Sequence, residues 1–208
     1  MRWLSRRELW LVAAVLALVL VWASRFFVNP DGVSLLDLSD DIAAGQWGNA
    51  VNAHWGPLYP AFLAVWLRPF AAGSPLESTA VHVLNGALFL ASVATFDFFL
   101  RELGASQRKA GDGAPAWAMA VETPAGLNAA YAVFFFCSLV LITVKVVTPD
   151  MLLSALVFAA AALLVRIERR DAGIGAFIAL GALLGFAFLA KAMMFPVSLV
   201  VLAASFFT

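Results

Sequence analysis

The sequence predicts an all-α membrane protein, with about six transmembrane helices and two interfacial helices in the first outer loop. Three observations predict it. First, 63% of the 208 residues are hydrophobic and 12% charged, with a mean hydropathy of +0.94. Soluble domains run about 45–50% apolar and about 25% charged, and the excess is larger than one buried core can absorb. Second, six apolar runs, 9–28, 79–100, 126–147, 151–167, 173–190 and 192–208, approach or exceed the roughly 17–25 residues that a crossing needs. Third, alternating those six runs across a bilayer collects most of the basic residues on one side.

The first run follows a basic head in MRWLSRRELWLVAAVLALVLVWAS. Its apolar stretch, from Trp10 to Val28, is longer than a signal-peptide core and lacks a small-residue cleavage site, so it reads as an uncleaved anchor. Residues 29–77 form the first outer loop. They hold Asp31, Asp37, Asp40 and Asp41, four of the thirteen acids in the chain. Ser34-Leu35-Leu36-Asp37 fits a capping box, and Gly45 is a helix stop. Between them Leu35, Leu38 and Ile42 share one face and Asp37, Asp40 and Asp41 the other, which is an amphipathic interfacial helix. Asp31 stands before it in the turn Asn29-Pro30-Asp31-Gly32.

Pro57–Leu67 is apolar but too short to cross at about 1.5 Å per residue. Charge gives the same answer. With the amino terminus inside and six spans, Arg2, Arg6, Arg7, Arg101, Arg108, Lys109, Arg166, Arg169 and Arg170 are cytoplasmic, nine of thirteen basic residues. A crossing by 57–67 would move the groups at 101–109 and 166–170 outside, against the positive-inside bias. This segment is therefore the second interfacial helix. Further on, Asp97 stands four residues before Arg101 and is set to pair with it. Gly181-x-x-x-Gly185 reads as a close helix-packing motif. The last run reaches Thr208 with no polar loop after it, so residues 1–208 read as a single transmembrane domain that is either a fragment or a truncated relative of something larger.

The zero formal net charge leaves no nucleic-acid footprint, and the single Cys137 excludes a disulfide framework and a cysteine-based metal site. His54 has no second His or Cys nearby, so no cofactor is expected, and a divalent metal stays open without support from ligand spacing. What stands out is placement. The acidic loop, Thr148-Pro149-Asp150 and Lys191 come from separate parts of the chain and all fall on the outer face. Asp37, Asp40 and Asp41 read as a solvated helix face. Asp31 is either an ordinary turn acid or, if partly desolvated at the apolar boundary, a proton acceptor. Thr148 can cap the next helix, Pro149 suits its first turn, and Asp150 favours its positive end. Lys145 and Lys191 can snorkel to the interface or hold a phosphate as point charges. His54 is a surface histidine or a phosphate donor. Trp47, Trp55, Tyr59 and Trp66 read as an interfacial aromatic belt, with sugar stacking as the sharper alternative.

The order of these features resembles the C-type superfamily of integral membrane glycosyltransferases (GT-C), which includes protein O-mannosyltransferases and the lipid A aminoarabinose transferase. The features are an anchor, Pro30-Asp31, an amphipathic helix ending Ala43-Ala44-Gly45-Gln46-Trp47, and Gly56-Pro57-Leu58-Tyr59-Pro60 opening a surface helix. A span ending in basic residues, Thr148-Pro149-Asp150, and Lys191 after a Gly-rich helix complete the set. The resemblance covers essentially the whole chain but only the amino-terminal part of such an enzyme. It implies transfer of a sugar from a polyprenyl-phosphate carrier at the outer face of a bacterial inner membrane, with the amino terminus cytoplasmic. Asp31 would then be the catalytic base or acceptor-orienting carboxylate. Asp150 and Lys191 would bind substrate, with Lys145, His54 and Tyr59 beside them. The chain departs from the pattern at Gly32, where many relatives carry a second acid, and at Leu35, where an aromatic is common.

Two other readings stay open. One is a non-catalytic membrane subunit that keeps the fold and packs against protein partners, which Gly32 favours. The other is a transporter. The polar residues within spans are thin, chiefly His82, Asn85 and Asn128, where transporters concentrate ionisable groups.

Overall fold

The computed structural model describes residues 2–206 except 53, 71, 72, 111–120, 143 and 171, with the backbone alone at 110 and 206. Among the described residues every regular element is a helix. They are α1 (Arg6–Ser24), α2 (Pro30–Ala43), α3 (Trp47–Ala50), α4 (Leu58–Leu67), α5 (Pro75–Ala110), α6 (Pro124–Phe136, continued by a π-helical turn Cys137–Leu141), α7 (Asp150–Glu168), α8 (Ile174–Ala190) and α9 (Met194–Phe206). Four of these, α1, α5, α6 with its π turn, and α7, are long and apolar enough to cross a membrane. The 17-residue α8 and 13-residue α9 are apolar but shorter. The all-helical membrane class therefore stands, with four helices rather than six meeting both length and composition.

Local chemistry explains most boundaries. Ser5 caps α1 in a complete capping box: its hydroxyl accepts from the Glu8 N–H, and its own N–H donates to Glu8 Oε2 at 2.7 Å. α2 begins four residues earlier than Ser34, at Pro30, with Asn29 as N-cap. Proline suits a first helical position because its missing N–H has no intrahelical partner there. The expected capping box at Ser34 is thus interior to the helix, and Asp31 lies in its first turn rather than in a separate turn. The amphipathic reading of α2 holds for Leu35 and Ile42, which are buried, and for Asp37 and Asp40, which are exposed, while Leu38 and Asp41 are half-buried and Asp41 accepts from Asn49 Nδ2 at 3.0 Å. Gly45, at φ +81°, ends it in a conformation that glycine adopts without strain. At α7 the N-cap is Pro149, with no side-chain cap bond, so Thr148 does not cap.

α5 organises the packing. At 36 residues it is about 54 Å long, well beyond the roughly 30 Å hydrocarbon core. Leu9, Ala13 and Ala17 of α1 join its buried Val81, Leu84, Leu88 and Phe89 in one core with Tyr131 and Phe134 of α6 and Met151 and Leu152 of α7. Phe96 stacks on Phe134 at 4.6 Å and meets Phe158 edge-on at 5.0 Å, which locks α5, α6 and α7 together. Ser92 and Ser154 share a 2.7 Å hydrogen bond between α5 and α7. Gly181 and Gly185 are exposed with open space where a Cβ would stand, so the expected close packing at this pair is not made among the described residues.

Polar contacts gather at two opposite ends. At one, Arg6 and Arg101 both pair with the buried Asp97, Arg108 pairs with Glu122, and Arg169 pairs with Glu102 at 3.0 Å. The expected Asp97–Arg101 pair is present, at 2.8 Å. Asn128 belongs here too, donating to the Leu4 carbonyl at 2.9 Å. At the other end His82 Nε2 lies 2.8 Å from the Phe27 carbonyl, and Asp150 meets Lys191. Each polar residue singled out within the spans therefore has a partner in the fold.

Candidate functional site at the Asp150–Lys191 end

Two helix ends converge to build this site. Asp150 occupies the first turn of α7, where the positive end of the helix dipole favours a carboxylate. Lys191 follows the last residue of α8 and leaves the helix in an extended conformation, which puts a cation at the negative end of that dipole. Lys191 Nζ donates to Asp150 Oδ1 at 2.6 Å in a part-buried ion pair. Each charge is thus stabilised twice, by its helix terminus and by its partner.

The first turn of α2 is fastened to the segment just before α7. Asn29 does not cap its own helix with its side chain. Its Oδ1 accepts the Val147 N–H at 2.8 Å. Gly32 is buried against the same segment, and a Cβ there would stand 2.8 Å from Val147 Cβ. Any side chain at this position would push α2 away from Val147. Asp31 sits between these two anchors. It is exposed, so of its two readings the partly desolvated one is not met, and its carboxylate makes no hydrogen bond or ion pair among the described residues.

The other expected site residues fall into different roles. Lys145 is exposed and unpaired among the described residues. Tyr59 is fully buried, so it is not a surface stacking platform. Its hydroxyl donates to Asn85 Oδ1 at 2.7 Å, and Asn85 Nδ2 donates to the Val146 carbonyl at 3.3 Å. Burial pushes the phenol up from its ordinary range, only partly offset by that hydrogen bond, so Tyr59 stays neutral. It is a strut beneath the site. His54 is exposed, with its ring edge-on to Trp55 at 4.6 Å. The two help line a pocket of about 230 Å³ with Asn52, Gly56, Phe188 and Ala192. Gly56 packs directly on the carbonyl oxygens of Leu189 and Ala190, and a Cβ would overlap both. This contact sets the pocket beside Lys191. Trp66 donates its indole N–H to the Ala80 carbonyl at 2.8 Å, which ties α4 to α5.

Sequence reasoning missed three residues that assemble this end: Asn29, Gly56 and, as a site member, Asn85. Asn29 before Pro30 resembles any helix N-cap, and Gly56 before Pro57 any turn. Their partners lie more than a hundred residues away. The remaining chemistry is simple. An exposed carboxylate on α2, a lysine–carboxylate pair between α7 and α8, and a small pocket with an imidazole and an indole lie at one end. No group of three or more His, Cys, Asp or Glu side chains able to hold a metal is found among the described residues. No protein-family model, curated protein or solved structure matches the chain.

Proposed function

We propose that this chain is a GT-C-type glycosyltransferase module, moving a sugar from a polyprenyl-phosphate carrier to an acceptor hydroxyl at the outer face of a bacterial inner membrane. The observation that carries the reading is the coincidence at one end of the molecule of an unpaired carboxylate, Asp31, with a lysine, Lys191, that is already oriented. In the proposed step Asp31 accepts the proton of the acceptor hydroxyl. The acceptor oxygen forms a bond to the anomeric carbon as the bond from that carbon to the carrier phosphate oxygen breaks. The leaving polyprenyl phosphate takes that electron pair, and Lys191, with Lys145, offsets its charge. The pocket at His54 and Trp55, about 230 Å³, offers an amide, an imidazole and an indole to a sugar ring within a mostly apolar lining.

Six spans, with the amino terminus inside, are part of this proposal. The Lys191–Asp150 pair supports them, because it requires α8 to return to the end where α7 starts. At 17 residues α8 is about 26 Å long, close to the hydrocarbon thickness.

The test is transfer from a panel of polyprenyl-phosphate sugars by membranes containing the protein. Asp31→Asn should reduce turnover by about 100-fold or more, the usual contribution of a general base, with expression unchanged. Undiminished transfer removes Asp31 from the role. A second reading, a non-catalytic subunit, is favoured by a specific observation: Asp150 and Lys191 neutralise each other, as a structural clasp would. It predicts co-purification with a larger complex and indifference to Asp31→Asn.

A further inference from the structure

The opposite end of the molecule holds a second polar cavity, unrelated to the proposed reaction. It has a volume of about 310 Å³ and is lined by Arg6 of α1, Leu100, Arg101 and Arg108 of α5, and Val121 and Glu122 before α6. Three guanidinium groups from two helices converge on one small space. Two acids answer them. Asp97 is buried and takes Arg6, the Nε of Arg101 at 2.8 Å and the Tyr131 hydroxyl at 2.9 Å. Glu122 takes Arg108. Among the described residues, three cations against two anions leave the cavity one positive charge.

Its hydrogen-bonding capacity is largely unused. A guanidinium carries five N–H donors in a planar fork. Arg6 uses Nη1, Arg101 uses Nε and Arg108 uses Nη1. The other nitrogens of all three bond nothing among the described residues. The side chains of Arg101 and Arg108 are 62% and 64% exposed, so their free donors are accessible, while Arg6 is 34% exposed. Buried Asp97 fixes Arg6 and Arg101 from below, so two forks are oriented before any ligand arrives.

That donor set is complementary to phosphate oxygens, which guanidinium groups bind in bidentate fashion. The surroundings specify which phosphate. Leu100 and Val121 supply apolar wall. Trp3 and Leu4, both exposed, precede α1 at the same end, and aromatic residues of that kind sit at headgroup level. Basic pockets between membrane helices recognise anionic headgroups. We propose that this cavity binds the phosphate of an anionic phospholipid headgroup from the adjoining leaflet.

The experiment uses the full chain purified in neutral detergent. Retention of phosphatidylglycerol, phosphatidylcholine or inorganic phosphate is followed by native mass spectrometry and by the shift in melting temperature. Phosphatidylglycerol should be retained and should raise the melting temperature. Phosphatidylcholine and inorganic phosphate at the same concentration should do neither. Arg108→Gln should weaken phosphatidylglycerol binding about tenfold, the usual effect of losing a charge-assisted hydrogen bond. Glu122→Gln should strengthen it, because it removes a competing carboxylate and frees Arg108. A folding defect would weaken both, so opposite directions identify the site. Equal retention of the two lipids, unchanged binding in Arg108→Gln, or weaker binding in Glu122→Gln overturns the proposal. If inorganic phosphate protects as well as phosphatidylglycerol, the site takes a soluble anion and the lipid assignment falls.

Discussion

Tyr59 and Asn85 form a buried pair in which each side chain answers a need of the other. The Tyr59 hydroxyl is buried away from solvent, and Asn85 Oδ1 has no other donor at hydrogen-bonding distance among the described residues. Removing one partner leaves a buried polar atom unsatisfied, which costs more than the bond itself contributed. Tyr59→Phe should therefore destabilise the protein by about 1–3 kcal/mol, read as a lower unfolding midpoint in a denaturant titration of the detergent-solubilised chain. Replacing Asn85 by Leu as well should cost less than the sum of the two single changes, since the second removes the orphaned acceptor. Asp97 follows the same logic with charge. It is buried, and its oxygens are occupied by two guanidinium groups and a phenol from three helices.

At the scale of elements, junctions between helices matter more than the helices. α2 has its own amphipathic pattern, but Asn29 and Gly32 decide where it docks, both through Val147. The segment at 54–57 is held by the approach of Gly56 to the end of α8. Gly56→Ala should separate that segment from Leu189 and Ala190, lower the unfolding temperature and raise the accessibility of a cysteine placed at Ala192. Gly181→Ala is the matched control. Its Cβ would meet nothing within 4 Å, and alanine is the better helix former by about 1 kcal/mol, so this change should be neutral or mildly stabilising. An equal loss of stability from both would mean that Gly181 faces a partner outside the chain.

Across the whole molecule, α5 is the axis and charge is sorted to its two ends. The six-span arrangement makes a direct prediction about sidedness. Cysteines introduced at Asn52 and Ala192 should react with a membrane-impermeant maleimide added from outside intact cells. A cysteine at Ala172, in the connection between α7 and α8, should react only after permeabilisation. Labelling of Ala172 but not Ala192 from outside would invert the arrangement. Labelling of neither would leave α8 and α9 as a hairpin that does not cross.

Composition and run length alone determine that the chain is helical and built for a membrane, because a bilayer forces backbone groups to bond within each segment. The pattern also placed the amphipathic face of α2, the shortness of α4 and the Asp97–Arg101 pair, all of which depend on neighbours a few residues apart. It misjudged the start of α2 by five residues, with the N-cap at Asn29 rather than Ser34, because proline and aspartate open helices as readily as they make turns. It read Tyr59 as a surface aromatic, because its partner Asn85 lies on another helix. That Lys191 meets Asp150, that Gly32 and Gly56 mark close approaches, and that three arginines surround one cavity were decided only by tertiary structure. Such contacts join residues dozens to more than a hundred positions apart, and a local pattern holds no record of distance through space.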